Sequence, residues 1–174
     1  MAEPAASSPG LKTRIPTEGI AIVIVLDASG SMETENAFLW REGSPKITRR
    51  EAASRAFHLF VQGGGAPDGT RFEGRSSERG ADAIGLVTFT NYPQPICPPT
   101  LNHQVLLRIL DERRPVSVRD EGSNVGDAVT QAVIMLEKAE FKRRAIILLS
   151  DGESNFDRVE PEGRPLKPRQ AAQL

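Results

Sequence analysis

The chain has 174 residues, a length that fits one domain. Its 22 basic and 23 acidic residues give a formal net charge of −1, whereas nucleic-acid-binding proteins usually carry a strong basic excess. We therefore predict no nucleic-acid partner, and the charge gives no reason to expect binding to an anionic membrane. The single cysteine, Cys97, excludes an intrachain disulfide and a cysteine-rich zinc site.

The first 18 residues are rich in Ala, Ser, Pro and Gly and are predicted to be a flexible lead-in to a domain over residues 19–174. They contain no apolar segment typical of a secretory signal. The longest apolar run, residues 20–26, is far shorter than the roughly 20 residues that a membrane-spanning helix needs. We predict no membrane span in this chain, and its location stays open.

The first predicted element is a strand over residues 20–26, which is continuously apolar and β-branched and therefore typical of a strand buried on both faces. It ends in a polar turn over residues 27–31, followed by an irregular stretch over 33–47. A helix is predicted from Thr48, because apolar residues recur there with helical spacing. These are Ala52, Ala53, Ala56, Phe57, Phe60 and Val61.

Glycines 63–65 are predicted to end this helix, and residues 66–82 read as a long surface loop. Residues 83–89 form a second predicted strand. The proline-rich segment 91–99 can at most form an edge strand. Helical spacing returns at residues 102–110 and again, after a loop, at residues 125–136.

A further buried-type strand is predicted over residues 145–149, before Ser150, Asp151 and a polar tail. Strands that alternate with helices indicate an α/β fold with a mostly parallel sheet and right-handed crossovers. In such folds ligands bind at the carboxyl ends of the strands. The functional groups are therefore expected just after residue 26 and just after residue 149.

Short oxygen-bearing side chains stand at both places. Asp27, Ser29 and Ser31 follow the first strand, Asp151 follows the last, and Ser123 lies in the loop before the third helix. Mg²⁺ prefers oxygen ligands, two carboxylates balance a divalent charge, and hydroxyls coordinate without adding charge. Each residue alone is an ordinary turn or capping residue, but three segments with matching groups predict a Mg²⁺ site, with Mn²⁺ as a second candidate.

The sequence around these residues resembles that of the von Willebrand factor A domains. DASGS at residues 27–31 matches the DxSxS signature of their metal-ion-dependent adhesion site. GSNVGDAV at 122–129 resembles the middle loop of that site, with Ser123 where the family usually has Thr, and LLSDG at 148–152 resembles its final Asp-Gly element. TEGIAIVIVLDASGSM, AIGLVTF, ICPPTLNHQVLL and IILLSDGESN are most similar to the bacterial aerotolerance-operon (Bat-type) branch.

The resemblance implies a Rossmann-like, doubly wound sheet and a protein-binding module that is not an enzyme. It implies that Ser29, Ser31 and Ser123 contact the metal directly, and that Asp27 and Asp151 act directly or through water. A carboxylate of a partner protein would complete the coordination. Aerotolerance-type proteins are associated with AAA+ ATPases of the MoxR class and are often membrane-anchored, with this domain outside the cytoplasm.

The family's topology also leads us to expect further strands and helices after Asp151, so that the chain would be truncated at its C-terminus. An apolar sheet edge at residues 145–149 would then be exposed. Exposed edges promote pairing with other chains, and we predict marginal stability or self-association.

Two other functions remain as alternatives. A Mg²⁺-dependent phosphohydrolase would use Asp27 as nucleophile, but such enzymes need a second Asp two residues on as general acid/base, and this chain has Ser29 there. The second alternative is a structural subunit whose metal site is vestigial. His58 and His103 lack the spacing of zinc ligands and are predicted to be structural or exposed.

Overall fold

The computed structural model describes residues 19–33, 38–39, 42–75, 82–112, 122–152 and 173. The strands are β1 (Ile20–Asp27), β2 (Phe38–Leu39), β3 (Lys46–Ile47), β4 (Gly63–Gly65), β5 (Arg71–Glu73), β6 (Ala83–Phe89), β7 (Pro93–Thr100) and β8 (Arg143–Leu149). The helices are α1 (Arg49–Gln62), α2 (His103–Glu112), α3 (Val125–Glu137) and a short 3-10 helix, Gly30–Glu33. The predicted lead-in, residues 1–18, and nearly all of the tail after Gly152 lie outside the described residues.

Four strands form the main sheet in the order β7-β6-β1-β8. β1 pairs in parallel with both β6 and β8, and the proline-rich β7 pairs antiparallel with β6 at the edge. Proline lacks a backbone N–H and is confined to such edges. The predicted mostly parallel α/β sheet is confirmed, and the carboxyl ends of β1, β6 and β8 lie side by side.

Helices cover both faces of this sheet, as a doubly wound fold requires. Alternate residues of β1 point to opposite faces: Ile22, Ile24 and Leu26 join the core beneath α1 and α2, whereas Ala21, Val23 and Val25 join the core beneath α3. The residues of β6 are all buried. Burial on both faces explains why these two strands are almost entirely apolar.

Helix α1 begins where the sequence predicts. The side chain of Thr48 accepts a hydrogen bond from the backbone N–H of Glu51 at 3.0 Å, as an N-cap residue does. The helix ends at Gly63, which has a φ of 77° and donates its N–H to the carbonyl of Leu59. A φ in this region favours glycine, so the glycine run defines the end of the helix.

Two segments predicted to be irregular contain short strands. β2 pairs antiparallel with β3 within the stretch 33–47. β5, which lies within the predicted loop 66–82, pairs antiparallel with β4 just before that loop. The second hairpin closes through a turn in which Ala66 donates to the carbonyl of Thr70 at 2.7 Å and Asp68 accepts from the N–H of Thr70 at 2.9 Å. Pro-Asp-Gly at 67–69 is a turn signal that the prediction of one long loop overlooked.

β8 is an outer strand of the sheet in the part of the chain that the structure describes. It begins at Arg143, two residues before the predicted start, and Leu148 is 42% exposed. Among the described residues, no helix has the length and apolar character needed to cross a membrane.

Candidate metal site at the carboxyl edge of the sheet

The turn after β1 contributes three of the predicted groups. Asp27 is the last residue of the strand, and its side chain is fully buried. Its Oδ1 accepts a hydrogen bond from the backbone N–H of Ser29 at 2.9 Å, which fixes the turn. The hydroxyl oxygens of Ser29 and Ser31 lie 3.0 Å apart. The 3-10 helix that starts at Gly30 brings these two side chains to the same side of the turn.

Ser123 reaches the site from the loop before α3. The N–H of the next residue, Asn124, donates to the carbonyl of Thr90 at 2.8 Å and so ties this loop to the end of β6. Gly122 packs so closely on Asn91 that a Cβ atom there would overlap the Asn91 side-chain oxygen. Ser123 is consequently buried, and its Oγ lies 3.5 Å from Asp27 Oδ2, a long hydrogen bond.

The end of β8 supplies the fifth predicted group, Asp151, whose side chain is only 7% exposed. Its Oδ2 lies 3.1 Å from Arg49 Nη1, and the same nitrogen donates to the backbone carbonyl of Ser31 at 3.2 Å. Arg49 therefore connects the segment after β8 with the turn after β1. The two carboxylates of the site exceed this one guanidinium by a single negative charge.

The structure places all five predicted residues at one edge of the sheet. Asp27, Ser29, Ser31 and Ser123 are connected by the contacts just described, and Asp151 is connected to Ser31 through Arg49. Residues from three separate segments thus converge, because the carboxyl ends of neighbouring parallel strands meet at the same edge.

Two residues of the site were missed by the sequence analysis. The hydroxyl of Ser150 donates to Asp27 Oδ2 at 2.8 Å and accepts from the N–H of Gly152 at 3.1 Å. Ser150 was noted only as the residue before Asp151. One feature of the sequence could have pointed to Arg49. A cation in the first turn of a helix opposes the helix dipole, so its presence there indicates a specific partner.

The donor set fits a hard divalent cation. It offers two carboxylates and three hydroxyls, and oxygen is the ligand type that Mg²⁺ prefers. The 3.0 Å between the Ser29 and Ser31 hydroxyls is close to the ~3 Å that separates neighbouring ligands of an octahedral Mg²⁺ ion. Within the described ranges no three His, Cys, Asp or Glu side chains form a metal cluster, and three of the five candidate ligands are hydroxyls.

The two histidines take part in other contacts. His58 Nε2 lies 2.7 Å from the carboxylate of Asp111, and the buried His103 lies 2.8 Å from the backbone carbonyl of Asp82. Both contacts agree with the structural roles predicted from the missing zinc spacing.

The family model of the von Willebrand factor type A domain matches residues 22–153. Solved structures with a similar fold include BatB from Bacteroides thetaiotaomicron, with 21% identity, a TM-score of 0.55, and coverage of 75% of this chain and 52% of that chain. An aerotolerance-related membrane protein from Bacteroides fragilis has 21% identity, a TM-score of 0.54, and coverage of 75% and 53%. The vWF domain of the type V pili tip protein Mfa5 from Porphyromonas gingivalis has 22% identity, a TM-score of 0.54, and coverage of 80% and 40%.

This chain thus spans about half of the length of the two aerotolerance-related structures, which represent the branch that its motifs resemble. A comparison with curated proteins finds no match. The family model covers most of the chain, including both strands that lead into the site. The chain therefore belongs to the von Willebrand factor type A domain family.

Proposed function

We propose that this chain is a metal-ion-dependent protein-binding module that holds Mg²⁺ between the turn after β1, the loop before α3 and the segment after β8. The five residues involved are Asp27, Ser29, Ser31, Ser123 and Asp151. Mn²⁺ is the alternative cation, since it also accepts oxygen ligands. The observation that carries the proposal is the pair of serine hydroxyls 3.0 Å apart beside a fully buried carboxylate.

A buried carboxylate at this edge supports a binding role. Burying a charge is unfavourable unless it is compensated, and Asp27 receives hydrogen bonds from the Ser29 amide and from the hydroxyls of Ser123 and Ser150. These contacts hold both carboxylate oxygens in fixed positions. A site held in place before binding loses less conformational entropy on binding.

The five residues of the proposed site provide two kinds of oxygen ligand. Asp27 and Asp151 provide the negative charge that attracts a cation, and Ser29, Ser31 and Ser123 provide neutral oxygens. With the Arg49 guanidinium beside the two carboxylates, a bound Mg²⁺ would leave the site with a net positive charge, which favours a carboxylate from a partner protein. This chemistry favours a partner with an exposed Asp or Glu.

Membership of the family supports the protein-binding part of the proposal, and a vWF domain of a pili tip protein shares the fold. The resemblance to aerotolerance-type proteins makes a MoxR-class AAA+ ATPase system the first partner to test. We propose no nucleic-acid partner.

The direct test is isothermal titration calorimetry of EDTA-stripped protein with Mg²⁺ and then Mn²⁺. We expect one site, and we expect the double variant Ser29→Ala/Ser31→Ala to lose most of the affinity because two neutral ligands are removed. Ser44→Ala is the matched control, since Ser44 lies outside the candidate site and its hydroxyl donates to the neighbouring Pro45 carbonyl at 3.3 Å. A pull-down with and without EDTA then tests metal-dependent partner binding.

Failure of Mg²⁺ and Mn²⁺ to bind the wild-type chain would favour a vestigial site and contradict the proposal. Hydrolysis of a generic aryl phosphate that requires Asp27 would favour the phosphohydrolase alternative instead.

A further inference from the structure

Helix α1 opens with two arginines, Arg49 and Arg50. Cations at this end oppose the helix dipole, so other contacts must favour their placement. Arg50 Nη1 lies 2.7 Å from the Glu33 carboxylate. Arg49 Nη1 instead lies 3.1 Å from Asp151 Oδ2 and 3.2 Å from the Ser31 carbonyl oxygen. Only the second of these ion pairs includes a residue of the candidate metal site.

The burial of the two partners is unequal. The Asp151 side chain is 7% exposed and the Arg49 side chain is 33% exposed. A nearly buried carboxylate without a positive neighbour is strongly destabilising. Arg49 is a positive neighbour at salt-bridge distance, and it therefore stabilises the protein when no metal ion balances Asp151.

We propose that Arg49 is an internal counter-cation that competes with the metal ion for Asp151 and thereby sets the metal affinity of the site. The inference rests on the proposed function, because it takes Asp151 as a group that serves the metal. Arg49 engages Asp151 Oδ2 and places a positive charge beside the site, so a metal ion near this carboxylate is repelled by the guanidinium unless Arg49 moves away. A cation that binds the site weakly then fails to displace the Arg49 guanidinium from Asp151.

The surroundings give the guanidinium room to move. Arg49 and Asp151 line a cavity of about 720 Å³ between α1 and the end of β8, together with Met32, Ala52 and Leu148 among others. Arginine combines a charged end with a long apolar stem that can lie along apolar surface. Arg49 can thus withdraw into this cavity with its stem against α1 and its charge still close to the site.

The test compares Arg49→Met with Arg50→Met by titration calorimetry with Mg²⁺ and by thermal melts in EDTA and in excess Mg²⁺. Methionine keeps the length of the stem and removes the charge. Loss of a partly exposed competing ion pair should lower the Kd of Arg49→Met about threefold to fivefold. Arg50→Met should stay within about twofold of wild type, because its partner Glu33 is not a predicted ligand. Arg49→Met should also melt at a lower temperature in EDTA and gain more from Mg²⁺.

Arg49→Lys separates charge from shape: it should bind Mg²⁺ like wild type if the competing charge matters. Arg49→Gln replaces Arg49→Met if the latter does not fold, with the same expectation. If wild type binds Mg²⁺ and Arg49→Met binds it equally well or more weakly, the proposed role of Arg49 is overturned, whereas the proposed function stands. Absence of Mg²⁺ binding in wild type and in both neutral variants overturns this role and the proposed function together.

Discussion

The hydroxyl of Ser150 donates a hydrogen bond to the carboxylate of Asp27 across 2.8 Å, joining the ends of β8 and β1. The two residues are 123 positions apart in the sequence. The contact orients Asp27 Oδ2 and also places the segment that carries Asp151.

Replacing Ser150 by Ala should therefore affect both stability and the candidate site. The variant loses a hydrogen bond to a buried charged group, which is worth about 1.5–3 kcal/mol. We expect a loss in the free energy of unfolding within that range in urea titrations, and weaker Mg²⁺ binding in calorimetry. Ser44→Ala serves as the control; equal behaviour of the two variants would show that the Ser150 contact contributes nothing.

Asp27→Asn tests the central carboxylate with little change in shape. Both oxygens of Asp27 accept hydrogen bonds, so the NH₂ group of the introduced asparagine would face a hydrogen-bond donor on one side. We therefore expect a loss of about 1–3 kcal/mol in the free energy of unfolding, with the fold retained. Because one of the two negative charges is lost, Mg²⁺ affinity should fall about tenfold or more. Asp111→Asn, at an exposed carboxylate paired with His58, is the control. Unchanged Mg²⁺ affinity in a folded Asp27→Asn protein would refute the site.

Gly122→Ala should push the side chain of Asn91 away, since the added Cβ overlaps its oxygen. Only side-chain atoms of Asn91 are overlapped, and the end of a flexible side chain moves at little cost, so we expect a small drop in melting temperature and little change in Mg²⁺ affinity. Calorimetry and thermal melts check this; a large loss of Mg²⁺ affinity would show that the loop carrying Ser123 moves instead.

Burial raises the pKa of the Cys97 thiol above its ordinary value of 9.0. The unfolded chain then ionises this thiol at lower pH than the folded chain does. The resulting contribution to stability is fully present below about pH 9 and is lost as the pH rises through the folded-state pKa. Urea titrations from pH 8 to higher values should show a steeper decline for wild type than for Cys97→Ala. Parallel declines in the two proteins would contradict this assignment.

Among the described residues β8 is an outer strand of the sheet, and we expect it to make the chain self-associate at high concentration. Leu148 is 42% exposed on this strand, and exposed apolar strand edges pair with other chains. Light scattering coupled to size-exclusion chromatography should show a rising mass with concentration, and Leu148→Lys should reduce it, because charged residues protect edges. The control is Leu101→Lys, an exposed leucine outside the described strands. A monomeric wild-type chain at all concentrations would disprove the prediction.

The sequence alone predicted the strands that build the sheet and the five oxygen-bearing residues, because burial on both faces leaves continuous apolar runs such as that of β1. It also predicted the start of α1, where the capping side chain of Thr48 acts locally. The hairpin of β4 and β5 was missed, although its Pro-Asp-Gly turn is visible in the sequence. β2 and β3 are only two residues long each, too short to leave a periodic pattern.

Only the tertiary structure decided which partners these residues meet. The positions of Ser150 against Asp27 and of Arg49 against Asp151 depend on strand order and on the packing of α1, and contacts over 123 and 102 residues leave no local pattern in the chain. The sequence alone shows which side chains follow the end of a strand. Which charges balance one another there is set by the folded geometry, because Coulomb and hydrogen-bond energies depend on distance in space rather than on separation along the chain.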